Sequence, residues 1–442
     1  MSSENAWLFV RDDVPYHRRL LAPALEARRD RIVWEDHSHD QQAPLPEELT
    51  KSKPVKKGDE ESSGTSDDAD EGSTSDEAGV GESEAEFVGK RFVAFFGDYD
   101  YLPWTLITRD RLRASCFCTR KGLTRKAHLA YHMERVRAKH AEYHARLIAA
   151  VPPSYALELF HPEYVDEVLC ELPEEVVNAR AHGSKWLLKL SVVEKAKDIL
   201  LFDDVCSELQ PKLEALAEAG VREFVVQQYV DSPLLVLGGR KFSMRVYALC
   251  LGDLQVLVWR HVYCFVAMDR YPEDLSDAAS RSRQTAFITN FNINRWHKDY
   301  SEGQCSFLLP ELVPDPTAAA DVKAQIDGVV GELFASIRNE PASFFPLPAC
   351  FELYGIDFLL DSSSQVKLLE INGLPDLTHL GTRFFDHGVS LYDSIFRLAI
   401  DPLADVDRSQ PANLRFQVPV DLSPDLQTLW TVVYHHRRDF TF

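Results

Sequence analysis

An α+β fold is predicted for this 442-residue chain, on three observations. Short β-rich segments are interspersed with helix-period segments, turn residues join neighbouring strands into hairpins that imply an antiparallel sheet, and no internal repeat is evident. The content of 45% apolar and 11% aromatic residues is enough for a large core divided among two or three domains. No run approaches the ~18 unbroken apolar residues of a membrane span, and the N-terminus, MSSENAWLFVRDD, carries charges where a secretory leader is apolar. A cytoplasmic chain that meets no membrane is expected.

The formal charge of −21 is uneven, because Gly58 to Glu86 holds twelve Asp or Glu residues and no Lys or Arg. That tract is rich in Ser and Gly and cannot bury enough apolar surface to offset its ordering entropy, so it reads as disordered. The remaining −9 argues against a nucleic-acid binder. Eight scattered cysteines, of which only Cys116 and Cys118 are close, read as reduced core residues.

Trp7 to Arg11 is strand-like, Tyr16 to Arg28 helix-like and Arg31 to Glu35 a further apolar run, and the pattern resumes at Arg91. The acidic tract therefore interrupts one small α/β domain, placed at residues 1–150 with a disordered insert at about 51–86. Leu123 to Ala150 reads as one long basic helix carrying Arg125, Lys126, Arg135, Arg137, Lys139 and Arg146, ended by Pro152-Pro153. Its pairs His128/His132 and His140/His144 are four apart but lack a third ligand, so they read as ordinary helix-face histidines. Residues 151–260 form a central subdomain, with a strand in KWLLKLS, a helix stopped by Gly220, a strand in EFVVQQYV and a meander turning at Gly238-Gly239 and Gly252-Asp253. Residues 261–402 form a C-terminal subdomain with a helix at Thr317 to Arg338, the hairpin FELYGIDFLLD-SSSQ-VKLLEIN and a helix at Ser390 to Ala399. An extension, 403–442, has an N-cap signal at Ser423-Pro424 and no assigned function.

The hairpin carries the most chemistry. With its turn centred between Ser363 and Ser364, Asp357 faces Glu370, and Asn372 lies on the face of Glu370. Two facing carboxylates repel unless a cation neutralises them, and three oxygen ligands without His or Cys suit Mg²⁺. A solvated hairpin face is the alternative. In RKFSMRVYALC, alternation puts Lys241, Ser243 and Arg245 on one face, and in WLLKLS Lys189 is the lone charge. Cations so placed pair with phosphate or with carboxylates, and an ordinary ion-paired strand or a snorkelling lysine would look the same. No P-loop or dinucleotide glycine motif is present.

The segments WLLKLS, FVVQQYVDSPLLVLGGRKFSMRVYALC, FITNFNIN and FELYGIDFLLDSSSQVKLLEINGLPDL, with LTRKAHLAYHM upstream, resemble the tubulin tyrosine ligase and tubulin tyrosine ligase-like family over about residues 91–400. That resemblance implies an ATP-grasp fold and an ATP- and Mg²⁺-dependent ligase, which activates a tubulin carboxylate as an acyl phosphate and joins a free amino acid to it. It implies phosphate contacts from Lys126, Lys189 and Lys241, adenine contacts from Gln227, Tyr229 and the Val230 backbone, and magnesium bound by Asp357, Glu370 and Asn372. Lys241 and Arg245 would be catalytic, with Arg245 facing the acyl phosphate or tubulin carboxylate.

The chain departs from the family pattern in the loop after Lys189, where Ala196 and Asp198 stand near the positions of the family's glycines. It departs again at Ser243, where the family has Asp, at Gln228 for Lys, and near Phe265, where an arginine is expected. The expected activity is tyrosination of the acidic tubulin tail by a monomer, cytoplasmic and microtubule-associated. A catalytically impaired binder of tubulin or nucleotide and a polyglutamylase are the alternatives.

Overall fold

The structure, a computed structural model, describes residues 6–11, 14–36, 92–97, 99–191, 199–275, 284–289, 294–404, 411–417 and 420–436. The acidic tract, Ala196 and Asp198 lie outside the described residues. The chain divides into two compact units, residues 1–114 with 384–414, and residues 115–383 with 415–442. Residues 115–150, expected in the N-terminal domain, belong to the second unit, because their basic helix packs on a strand there. Residues 384–402 belong to the first, because the helix Phe385–Ala399 packs on the helix Pro15–Glu26.

The first unit is a parallel sheet of β1 (Ala6–Arg11), β2 (Ile32–Asp36), β3 (Phe92–Gly97) and β4 (Arg113–Ala114), in the order β2-β1-β3-β4. Parallel neighbours need a crossover, which the helix Pro15–Glu26 supplies between β1 and β2. Arg28 is buried and bonds both Asp393, at 2.8 Å, and Asp401, at 2.6 Å, tying the end of the first helix to the middle and the end of the second. Phe96 meets Tyr392 and Phe396 edge-on, with centroids 5.7 and 5.3 Å away.

The second unit has two sheets. The smaller is antiparallel, with β5 (Ser154–Glu158), β6 (Trp186–Leu190), β7 (Leu200–Phe202) and β8 (Glu223–Gln228) in the order β5-β8-β6-β7. Alternation sorts its side chains: Trp186, Leu188, Leu190, Phe224 and Val226 enter a core with the helices Val165–Cys170 and Gln210–Glu218. Lys189 and Gln227 point to the other face. Gly220, at φ +86°, follows the second helix in the left-handed conformation that glycine tolerates.

The larger sheet contains β9 (Leu235–Val236), β10 (Arg240–Leu251), β11 (Gln255–Trp259), β12 (Tyr263–Val266), β13 (Ser306–Leu308), β14 (Phe351–Leu360), β15 (Val366–Gly373) and β16 (Trp430–His435). The long β10 pairs with β14 along one edge and with β12 and then β11 along the other. The helix Pro316–Ile337 buries Val322, Ile326, Val329, Leu333 and Phe334 at helical spacing. The extension contributes the strand β16, which sequence reading left without a place. Among the described residues no helix is long and apolar enough to cross a membrane.

Two further expectations need correction. The basic helix is three pieces, Lys121–Thr124, Lys126–Lys139 and Ala145–Ala150. Arg125 is extended, and the helix restarts where Lys126 N donates to Ser191 O at 3.4 Å and Ala127 N to Ser191 Oγ at 3.2 Å. The last piece turns away to dock Leu147 N on Glu332 Oε2 at 2.9 Å. In the hairpin, Asp357 does face Glu370, but the turn is centred on Ser363, since Leu360 pairs with Val366 and Phe358 with Leu368. Leu369 is an extra residue, a bulge that shifts the register and restores the acid pair.

Candidate functional site

Six elements of the second unit bring the candidate residues into one cleft. β6 contributes Lys189, β8 Gln227, β10 Lys241 and Arg245, β14 Asp357, β15 Glu370 and Asn372, and the restarted helix Lys126. A pocket lined by Lys126, Met133, Ser154, Lys189, Gln227 and Leu368 opens between the helix, the small sheet and the hairpin. Apolar walls with a few converging polar groups are the usual make-up of a small-molecule site.

Charges are paired across this cleft. Arg245 faces Asp357 in register and grips it with two bonds, from Nε to Oδ1 and from Nη2 to Oδ2 at 2.7 Å. Lys126 Nζ lies 3.2 Å from Glu370 Oε2, and Asn372 Nδ2 is 3.4 Å from Glu370 Oε1. Lys189 Nζ donates to Gln227 Oε1 at 2.6 Å. Lys241 Nζ donates to the Tyr229 hydroxyl at 3.1 Å and sits 4.7 Å from its ring centroid, and the Tyr271 hydroxyl joins Tyr229 at 3.1 Å. Tyr229 N is bonded to Lys185 O, and Val230 follows at the end of β8.

Burial loads these groups electrostatically. It lowers Lys189 to about 8, with Glu370 pulling upward and Lys126 downward. It lowers Lys241 to about 7, with Lys189 adding to the effect. For Glu370, burial would raise the pKa, but Lys126, Lys189 and Arg245 together bring it to about 2. Burial pushes Asp357 up, Arg245 pulls it down and Glu370 raises it again, leaving it above the ordinary aspartate value. Two lysines whose charge burial disfavours and a carboxylate held above its usual range form a site that anionic phosphate and a hard dication would relieve.

Asp357, Glu370 and Asn372 supply oxygen donors alone, which fits magnesium and not zinc. Among the described residues no group of three or more His, Cys, Asp or Glu gathers as a metal site. His132 is a buried contact, its Nε2 2.8 Å from Ser336 Oγ. Much of the basic stripe is occupied by the protein: Arg135 pairs with Glu340 at 2.8 Å and Arg137 donates to Val151 O at 2.7 Å.

The departure at Ser243 and the one expected near Phe265 fall close together. Ser243 and Phe265 are cross-strand partners, Ser243 accepts from Thr289 at 2.6 Å, and Phe265 meets the His379 ring edge-on at 5.0 Å. His379 is bonded to Tyr247 at 2.7 Å, so this flank of Arg245 is aromatic.

Sequence reading missed the residues that support the site. Glu352, fully buried, is bonded by Arg120, by Phe117 N at 3.0 Å and by Tyr354 Oη at 2.8 Å. A Cβ on Gly373 would lie 2.9 Å from both Arg120 Nη1 and Glu352 Oε1, so this pair lies directly under the end of β15. The signal available was a lone acid inside the apolar run beginning at Cys350.

The sequence profile of the Tubulin-tyrosine ligase family matches residues 114–406, about two thirds of the chain. The chain belongs to the tubulin–tyrosine ligase family. It is 27% identical over 361 residues to the probable tubulin–tyrosine ligase PBY1 of Saccharomyces cerevisiae, covering 72% of this chain and 47% of that protein. The chain thus spans about half the length of that relative. A probable tubulin–tyrosine ligase of Schizosaccharomyces pombe is 28% identical over 320 residues, covering 65% and 76%. A probable tubulin polyglutamylase of Bos taurus is 25% identical over 308 residues, covering 61% and 64%. In structure the chain resembles the C-terminal domain of K. lactis Pby1, described as an ATP-grasp enzyme interacting with the mRNA decapping enzyme Dcp2, at TM-score 0.58 and 21% identity over 95% of this chain and 99% of that one. The fold of this family member is ATP-grasp, as the resemblance implied.

Proposed function

We propose that this chain is an ATP- and Mg²⁺-dependent carboxylate–amine ligase that adds an amino acid, tyrosine first, to the acidic C-terminal tail of tubulin. The observation that carries the reading is the convergence of Lys126, Lys189, Lys241 and Arg245 on the facing carboxylates Asp357 and Glu370. When bound, Mg-ATP supplies the phosphoryl group that activates a carboxylate for attack by an amine. Asp357, Glu370 and Asn372 would hold the metal, and Lys126, Lys189 and Lys241 the phosphates. Arg245, with both its bonds on Asp357, is the cation that would steady negative charge on the acceptor carboxylate. Tyr229, against Lys241, and Val230 follow the end of β8, where the base would lie.

The test incubates purified protein with detyrosinated tubulin, Mg-ATP and each labelled amino acid, with Glu370→Gln as control. Incorporation of tyrosine that the control lacks supports the reading, and glutamate incorporation would move the chain to polyglutamylation. ADP formation without incorporation would leave an ATPase and remove tubulin ligation.

A second reading, a binder that retains nucleotide but ligates nothing, is favoured by the neutral pair Ser243 and Phe265 and by Ala196 and Asp198. If the loop limits catalysis, Ala196→Gly with Asp198→Gly raises ATP turnover, because backbone freedom returns and a charge repelling phosphate leaves. No gain would place the deficit elsewhere.

A further inference from the structure

Gln227 is engaged by protein on both sides of its amide. Its Oε1 accepts from Lys189 Nζ at 2.6 Å, and its Nε2 donates to Ser154 Oγ at 2.9 Å. Ser154 Oγ in turn donates to Pro152 O at 2.8 Å. The direction of this chain is locked at both ends, because an ammonium can only donate and a carbonyl can only accept. Every member is deep, with Ser154, Gln227 and Lys189 exposed by 4, 7 and 9%. Sheet register explains the alignment: Ser154 and Gln227 are direct partners across β5 and β8, and Gln227 faces Leu187, two residues before Lys189, across β6. Proline fits the far end, since Pro152 and Pro153 offer carbonyls and no amide protons, and Pro153 O accepts from Gln228 N at 2.8 Å.

We propose that Gln227 and Ser154 are positioning residues for Lys189: the relay from Pro152 through Ser154 and Gln227 fixes where the Lys189 ammonium stands in the cleft, ready for nucleotide phosphate. This rests on the nucleotide reading above and deepens it. A neutral amide holds the ammonium without cancelling its charge. A carboxylate at the same place would form an ion pair and compete with phosphate. Ser154 is two bonds removed from the ammonium, so its effect on a ligand travels through Lys189.

The experiment measures Mg-ATP affinity by calorimetry for wild type, Ser154→Ala, Ser154→Thr and Gln227→Glu, with melting temperatures alongside. Loss of one neutral hydrogen bond predicts weakening of about 3–10-fold in Ser154→Ala, recovery to within about twofold in Ser154→Thr, which keeps the hydroxyl, and a loss of more than about tenfold in Gln227→Glu. Unchanged affinity in Ser154→Ala, or a loss that threonine does not restore, overturns the proposal. The Lys189 side-chain NMR signal in nucleotide-free protein, assigned with Lys189→Arg, provides a readout independent of ATP. It shifts in Ser154→Ala and returns in Ser154→Thr if the relay positions the ammonium, and an unmoved signal overturns the relay. A shifted signal in a protein that binds no nucleotide would sink the ligase reading while the positioning stands.

Discussion

Lys126 Nζ stands 3.2 Å from Glu370 Oε2 only because its helix restarts on Ser191, whose backbone and side-chain oxygens receive the first two amides of the helix. Ser191 follows Lys189 by two residues, so one serine sets the spacing between two lysines of the cleft. With Glu370 drawn down to about 2, it is ionised at neutral pH and available to a dication. ATP with Mg²⁺ should therefore raise the melting temperature by mass action, by roughly 2.7 kcal/mol of stability at a hundred times Kd. Glu370→Gln should abolish the metal-dependent part of that shift while the protein stays folded. Equal shifts in both proteins would take the metal away from the hairpin.

The pH dependence follows from Lys241. Its folded pKa is about 7, below the ordinary 10.5, so between these values the unfolded chain carries a proton that the folded chain lacks. Stability contributed by this group therefore rises with pH from about 7 to about 10.5, and its burial penalty is full below 7. Phosphate affinity runs the other way: as pH climbs above 7 the nucleotide must recharge Lys241, and binding weakens by up to about tenfold per pH unit with proton uptake. Calorimetry in buffers of different ionisation heat measures that uptake, and Lys241→Met should remove it. A flat affinity between pH 6 and about 9 would count against Lys241 as a phosphate ligand.

Arg120 and Glu352 offer a stability test. Glu352 is fully buried, so Arg120→Met leaves a carboxylate without its cation, which costs about 3–5 kcal/mol. Replacing both partners with apolar residues of similar volume should recover much of that loss. Denaturant unfolding of the two single variants and the double variant provides the comparison, and additive losses would contradict the pairing.

Gly355 permits a more local perturbation. A Cβ there would lie 2.7 Å from Pro375 Cβ and 3.0 Å from Arg245 Nη1. Gly355→Ala should displace Arg245 and lower kcat by about ten- to a hundredfold with a smaller change in KM for ATP. A rise in KM alone would place Arg245 on the nucleotide instead of the acceptor.

The site was legible where a charge stood alone in an apolar strand. Lys189 announced itself that way, Lys241 and Arg245 as two cations on one face of an apolar strand, and Asp357 and Glu370 as acids in an apolar hairpin. The acid pair was expected from a symmetric turn, yet it forms through the Leu369 bulge, which period-2 counting cannot detect. The supports were not legible, because Ser154, Ser191 and Arg120 act through partners 73, 64 and 232 residues away in sequence. The unbroken basic helix was misread for a related reason. Its residues have ordinary helix propensity, and what interrupts it at Arg125 is a tertiary cap. The parting of the chain into 1–114 with 384–414 was equally hidden, since contacts between helices far apart in sequence decide it.

The extra residue at Leu369 separates two kinds of constraint along one hairpin. On the tip side, Val366 and Leu368 keep the same inward face as Ile371 on the base side only because one position is skipped between them. The skipped position acts as a phase shifter. Were Leu369 to take a regular place in the ladder, Glu370 and Asn372 would turn through to the apolar face, whereas removing Leu369 closes the bulge and leaves both on the face they hold. Substitutions in the Ser362-Ser363-Ser364 tip are thereby insulated from the chemistry, whereas flattening the bulge with Leu369 kept in the strand inverts it. Relatives of this chain are then expected to vary at Ser362 and Ser363, and to keep either the bulge at Leu369 or a strand one residue shorter there.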